Sequence, residues 1–145
     1  MDYDHIENIT EYVVSFRIID KELNPSEITA LMGITPDIAY KKGDQNTKMS
    51  KKGKLIEFSP FSTGVWIIDS KEGKHLTLEH HFKSLIALLY PLKATLLDFS
   101  QRGYKMDMFC GIFLFDGTGA SFEIDPNTLL QLGELNISMG VCYYN

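Results

Sequence analysis

The sequence predicts an α+β fold: an antiparallel or mixed sheet with helices packed on one face, as two β-α-β halves joined by a long helix would give, related to the ferredoxin-like arrangement. Three observations predict it. Period-two apolar stretches alternate with helix-period stretches along the chain, a short internal echo sets a proline-initiated helix between strands in each half, and one long apolar run reads as the centre of a sheet. With 145 residues, surface scaling has roughly 69% of the unfolded chain's surface buried on folding, which supports one core and not two. Residues 1–145 are therefore expected to form a single domain.

Residues 11–19, EYVVSFRII, place Tyr12, Val14, Phe16 and Ile18 on one face with Ser15 and Arg17 opposite, the pattern of a half-buried strand. LNPSEITALMGITPD follows. Asn24 or Ser26 can cap its start, Pro25 suits a first turn, Ile28, Leu31 and Met32 share a face, and Gly33 ends a helix of about two turns. Beyond the lysine-rich segment 41–54, the apolar runs Leu55 to Phe58 and Gly64 to Asp69 read as a hairpin or two edge strands.

The longest helical pattern starts after Thr77, a suitable N-cap. Leu78, Phe82, Leu85, Ile86 and Leu89 recur at helical spacing, Pro91 ends or kinks the helix, and LKATLLDFSQ continues to Gly103. Tyr104 to Phe115 is a long apolar strand, Asp116 and Gly117 suit a hairpin turn, and Ala120 to Ile124 is expected to return as a strand. The chain closes on a short helix, PNTLLQLGEL, and the alternating strand NISMGVCYY. LNPSEITALMGI and IDPNTLLQLGEL form the echo: each has an apolar residue two before proline, an aliphatic three after it and a glycine near the end. Proline at a helix start and glycine at its end are common capping chemistry, so the echo does not establish a duplication.

The first strand followed by LNPSEITALMGITPD, then KKGD, VWIIDS, LEHHFKSLIALLYPLKATLLDF and the tail DPNTLLQLGELNISMGVCYY resembles the bacterial domain-of-unknown-function 4279 family over nearly the whole chain. Gly43–Asp44, Trp66, and Gly133, Glu134 and Leu135 in the last helix are its most specific pieces. The resemblance implies a compact bacterial cytosolic domain and brings no catalytic residues with it.

Charge is unevenly spread beneath a net value of −5. Residues 41–54 hold Lys41, Lys42, Lys48, Lys51, Lys52 and Lys54 against Asp44, a local +5, while the other 131 residues carry 8 basic and 18 acidic side chains, −10. The acidic body should repel nucleic acid and anionic membranes. The lysine segment fits either a patch for phosphate or an acidic partner, or a solvated mobile connector. It has no arginine and no interleaved aromatic, which favours the connector.

No chemistry-bearing motif stands out. His75, Glu79, His80 and His81 invite a metal, yet adjacent histidines on a helix point about 100° apart and no H-E-x-x-H spacing is present. They read as cap-region and packing residues. Cys110 and Cys142 lie 32 residues apart in expected strands and read as reduced core thiols, with Cys142 on the more open face. G-x-S-x-G, P-loop and dinucleotide motifs are absent, and the carboxylates are scattered among strand ends and turns. No catalytic residue, metal or cofactor is therefore assigned.

The aromatic content is the remaining lead. Phe109, Phe113 and Phe115 share a strand face with Asp107 and Gly111, opposite Met106, Met108, Cys110, Ile112 and Leu114, so both faces of that strand are apolar. Either a second layer from this chain or a homodimer covers the sheet, or the face meets another partner. The sequence points to a non-enzymatic, immunity-like, protein-binding module of the cytoplasm that neutralises a basic partner, with Trp66, His81, Tyr104, Phe109, Phe113 and Phe115 as candidate contacts. The alternatives are a small-molecule binding domain or enzyme with a pocket between the long helix and the sheet around Trp66, His81 and Tyr104, and a homodimeric scaffold. No nucleic acid and no membrane is expected as partner.

Overall fold

The computed structural model describes residues 10–114 and 119–144. Its elements follow the alternation in the sequence: β1 (Glu11–Asp20), α1 (Pro25–Met32), β2 (Ile38–Tyr40), β3 (Asn46–Met49), β4 (Leu55–Phe58), β5 (Gly64–Asp69), α2 (Leu78–Leu89), α3 (Lys93–Gln101), β6 (Lys105–Phe113), α4 (Pro126–Glu134) and β7 (Ser138–Tyr144). Five strands form one mixed sheet in the order β2-β5-β1-β6-β7, and β3 pairs with β4 in a separate ribbon. β1 runs antiparallel to both β5 and β6, β2 antiparallel to β5, and β7 parallel to β6.

The order β2-β5-β1-β6 is that of a ferredoxin-like β-α-β-β-α-β core, in which two split β-α-β units interlock. The first is β1-α1-β2; the second is β5, the long helical stretch and β6. That stretch is thus a crossover within a unit and not a link between two halves. α4 and β7 then add a third β-α-β unit outside β6.

Local chemistry accounts for the helix ends. The Asn24 side chain accepts from the Ser26 N–H at 3.1 Å, Thr77 from His80 N–H at 3.2 Å, and Asp125 from Asn127 N–H at 3.3 Å, each meeting a donor that the first turn leaves free. Gly33 closes α1 at φ 68°, a backbone that residues with a Cβ avoid. Pro91 converts the end of α2 into a 3-10 turn, Tyr90–Leu92, before α3. Leu31, expected on the buried face of α1, is 45% exposed, because the buried wedge runs through Ile28 and Met32.

Two strand expectations need correction. Gly64–Asp69 is neither an edge strand nor the hairpin partner of Leu55–Phe58; it lies between β1 and β2, and Leu55–Phe58 pairs back onto β3. Its composition gives the reason: Val65, Trp66 and Ile68 are buried, as an interior strand needs, whereas all four residues of β4 are exposed. Part of the lysine-rich connector is therefore ordered as a β-ribbon. Ala120–Ile124 is irregular, not a strand, because both edges of β6 are already taken by β1 and β7. The hairpin turn expected at Asp116 and Gly117, and the candidate Phe115, lie outside the described residues.

One face of the sheet carries the core. Val14, Phe16 and Ile18 of β1, Trp66 and Ile68 of β5, and Met106, Met108, Cys110 and Ile112 of β6 pack against Ile28, Phe82, Leu85, Leu89, Leu96, Phe99 and Leu132 of the helices. Polar ties fix the outer helix. Glu79 on α2 accepts from the Thr128 hydroxyl at 2.6 Å and the Asp125 N–H at 3.2 Å, and Glu134 at the far end of α4 accepts from Tyr90 at 2.6 Å and pairs with Lys93 at 3.4 Å. These charge-assisted bonds hold α4 beside α2 and so set where β7 begins.

His81 is the buried polar group of α2. Its Nδ1 lies 2.6 Å from the Ser70 hydroxyl at the end of β5, and among the described residues its Nε2 has no hydrogen-bond partner. Burial pushes its pKa below the usual histidine value, with His80 adding to the effect and Glu72 opposing it. The unfolded chain takes up a proton below about pH 6.5 that the folded site resists, so stability is full above that pH and falls as pH drops through it. Unfolding free energies from urea titrations between pH 7 and 5 should decline with a slope of up to about 1.4 kcal/mol per pH unit, and His81→Gln should flatten that decline. An unchanged slope in the variant would assign it to other groups.

Candidate binding face

The opposite face of the sheet is assembled by strand alternation. Residues that oppose the core-facing ones come into register across four strands: Asp69, Ser15, Phe109 and Gly140 in one row, and Ile67, Arg17, Asp107 and Ser138 in the next. Val13, Gly111 and Cys142 form a third, with Phe113 and Tyr144 beyond it. The helices that bury core residues all contribute to the other face, so among the described residues no helix roofs this one.

A charged pair sits at its centre. Arg17 donates two hydrogen bonds to Asp107, Nε to Oδ1 at 2.8 Å and Nη2 to Oδ2 at 2.7 Å, while its guanidinium lies 4.6 Å from the centroid of the Phe109 ring. The hydrogen bond to Asp107 raises the Arg17 pKa above its ordinary value despite partial burial. This planar clamp leaves Arg17 with its bidentate acceptor satisfied and one face on an aromatic ring. Ser15 donates to Asp69 at 2.6 Å one row away. The polar groups at the centre are thus mutually paired.

The aromatic end of the face is shaped by a glycine. Phe113 and Tyr144 stack with ring centroids 4.8 Å apart, and a Cβ on Gly111 would stand 3.4 Å from the Phe113 ring and 3.5 Å from the Tyr144 ring. Gly111 therefore lets both rings lean over the sheet. Each remains 40% exposed. Cys142 is half-buried beside them, and contact with it raises the pKa of the Tyr144 phenol.

Of the residues singled out from the sequence, Phe109 and Phe113 lie together here. Trp66 does not. It is fully buried on the core side and donates its indole N–H to the Thr29 hydroxyl at 3.0 Å. His81 is buried at the α2–β5 contact, and Tyr104 packs against Phe99 at the α3–β6 turn. A cavity of about 540 Å³ is lined by Tyr12, Thr77, Glu79, Ser121, Phe122 and Glu123, and none of Trp66, His81 and Tyr104 borders it. Asp107 lies on the face that the alternation of β6 gives it, whereas Arg17 and Tyr144 belong to the face without being among the candidate contacts. The alternation of Arg17 and Asp107 against apolar neighbours was visible, but the register that joins them, Arg17 opposite Asp107, was not.

Among the described residues no group of three or more His, Cys, Asp or Glu is placed to hold a metal ion, and no helix is long and apolar enough to cross a membrane. These features define an α+β domain with a one-sided helical layer and an aromatic, internally paired open sheet face. Residues 10–145 match the family model described as a domain of unknown function, DUF4279, and the chain belongs to that family. No curated protein and no solved structure matches it.

Proposed function

We propose that this chain is a non-enzymatic module that binds a cationic protein through the open sheet face, in the manner of immunity proteins that neutralise a basic partner. The observation that carries this reading is the helix-free face itself, where Phe109 lies against a satisfied Arg17–Asp107 pair and the Phe113–Tyr144 stack stands at the far end of the same strands. Half-exposed aromatics on a rigid strand platform supply contact area at low entropic cost, and a paired charge centre demands no new desolvated partner. The choice of a cationic partner rests on the −10 carried outside residues 41–54, which would speed encounter and make it salt-sensitive.

The test places a photo-crosslinking phenylalanine analogue at position 113 and, as control, at Leu31 on the exposed side of α1, in the native cell. Support requires an adduct at 113 and none at 31, a captured chain that is basic, and release of the uncrosslinked complex by raised salt. Adducts at both positions, none at either, or an acidic captured chain would overturn the proposal.

A further inference from the structure

The two edges of the sheet are built differently. β2 is three residues long, preceded by Pro36 and Asp37 and followed by Lys41 and Lys42, the short and charged design that discourages pairing. β7 is seven residues, SMGVCYY, without proline or charge. The Leu114 N–H donates to the Tyr144 carbonyl at 2.8 Å, so Tyr144 and, by alternation, Cys142, Gly140 and Ser138 turn their backbone groups toward β6. Met139, Val141 and Tyr143 then present their N–H and C=O groups outward. Among the described residues no turn, loop or other strand donates to or accepts from them.

We infer that this edge pairs with β7 of a second copy, antiparallel, about a two-fold axis at Val141. Val141 is the midpoint both of β7 and of its three outward-facing residues, so the edge is complementary to itself. In that register Met139 stands opposite Tyr143 of the second copy, and the reverse pair repeats the contact; a thioether against a ring is a favourable cross-strand neighbour. The strand carries no charge, so a second copy of an acidic chain reaches it without like charges meeting in the ladder, while a cationic partner finds no carboxylate on it.

The side chains of Met139, Val141 and Tyr143 lie on the helix side, so pairing brings the two α4 helices toward the axis. Leu129 lies about 140° around α4 from Glu134, away from the ties to Tyr90 and Lys93. Leu129, Met139 and Tyr143 are 40 to 54% exposed. Two copies present on the order of 600 Å² in these side chains, to which the backbone ladder adds, in the range of small, concentration-dependent interfaces. The contact uses the rim and helix side of β7 and leaves the Arg17–Phe109 face free, so it stands independently of the proposed function.

Sedimentation velocity of the purified chain at micromolar and tens-of-micromolar concentration tests this, with hydrogen exchange read at single amides. The wild type is expected to sediment at twice the 16.5 kDa chain mass, with the amides of Met139, Val141 and Tyr143 protected although they point away from β6. Tyr143→Lys is expected to give the monomer with unchanged circular dichroism and fast exchange at Met139 and Val141, whereas Leu31→Lys stays dimeric. Met139→Lys provides a second edge variant should Tyr143→Lys fold poorly. A monomeric wild type, or a dimer that both edge variants leave intact, would overturn the inference.

Discussion

Trp66→Ala is expected to destabilise the fold by about 3–5 kcal/mol, a large part of the whole stability of a small domain. Trp66 is wholly buried in β5, opposite Ile18 of β1 and Ala39 of β2, and it is among the largest side chains in the core. Removing the indole leaves a cavity bounded by two neighbouring strands and α1, whose backbones cannot close over it, and leaves the Thr29 hydroxyl without its donor. Trp66→Phe keeps most of the volume and loses the hydrogen bond, so it should cost about 1–2 kcal/mol. Urea unfolding of the three proteins checks both values. Near-equal midpoints would place Trp66 outside the core and reopen it as a contact residue.

Gly64→Ala is the second large effect, at about 2–3 kcal/mol. A Cβ there would lie 2.9 Å from the Asp20 carbonyl oxygen and 2.9 Å from both the Cβ and the carbonyl oxygen of Leu23. Two of those atoms are backbone of the turn that leads from β1 into α1, and Gly64 pairs with Asp20 at the last position of the β1–β5 register, so relief requires shifting a strand end. Gly133→Ala is the control. Nothing lies within 4 Å of its added methyl, and a glycine replaced by alanine in a helix should gain about 0.5–1 kcal/mol. If the two variants changed the melting temperature alike, close packing at Gly64 would be excluded.

What was legible in the sequence was local. Asn24, Pro25 and Gly33, Thr77, Pro91 and Gly103 mark helix ends by chemistry that acts within a few residues, and the alternation in EYVVSFRII sorts a strand's two faces without knowledge of its neighbours. Pairing was not legible, because it depends on residues far apart. Gly64–Asp69 looks like an edge strand until its position between β1 and β2 is known, and Ala120–Ile124 looks like a returning strand until β7 is seen to occupy that side of β6.

The candidate face divides in the same way. That β6 is apolar on both sides could be read from Phe109 and Phe113 against Met108, Cys110 and Ile112. That Arg17 clamps Asp107 beside Phe109 could not, since those residues are 90 positions apart. Trp66 and His81 drew attention as rare residue types, and in the fold they serve packing and the α2–β5 contact.

If a partner covers the helix-free face, the two cysteines report on it. Cys142 is half-buried on that face, whereas Cys110 is buried on the core side with its thiol pushed up to about 12, chiefly by burial and further by Asp107. Maleimide labelling of each thiol, in the purified chain and in fresh extract of the native cell, is the direct measurement. Cys142 is expected to label in the purified chain and to be protected in the extract, while Cys110 stays silent in both until the protein is unfolded. Equal labelling of Cys142 in the two samples, or labelling of Cys110 in the native fold, would contradict it.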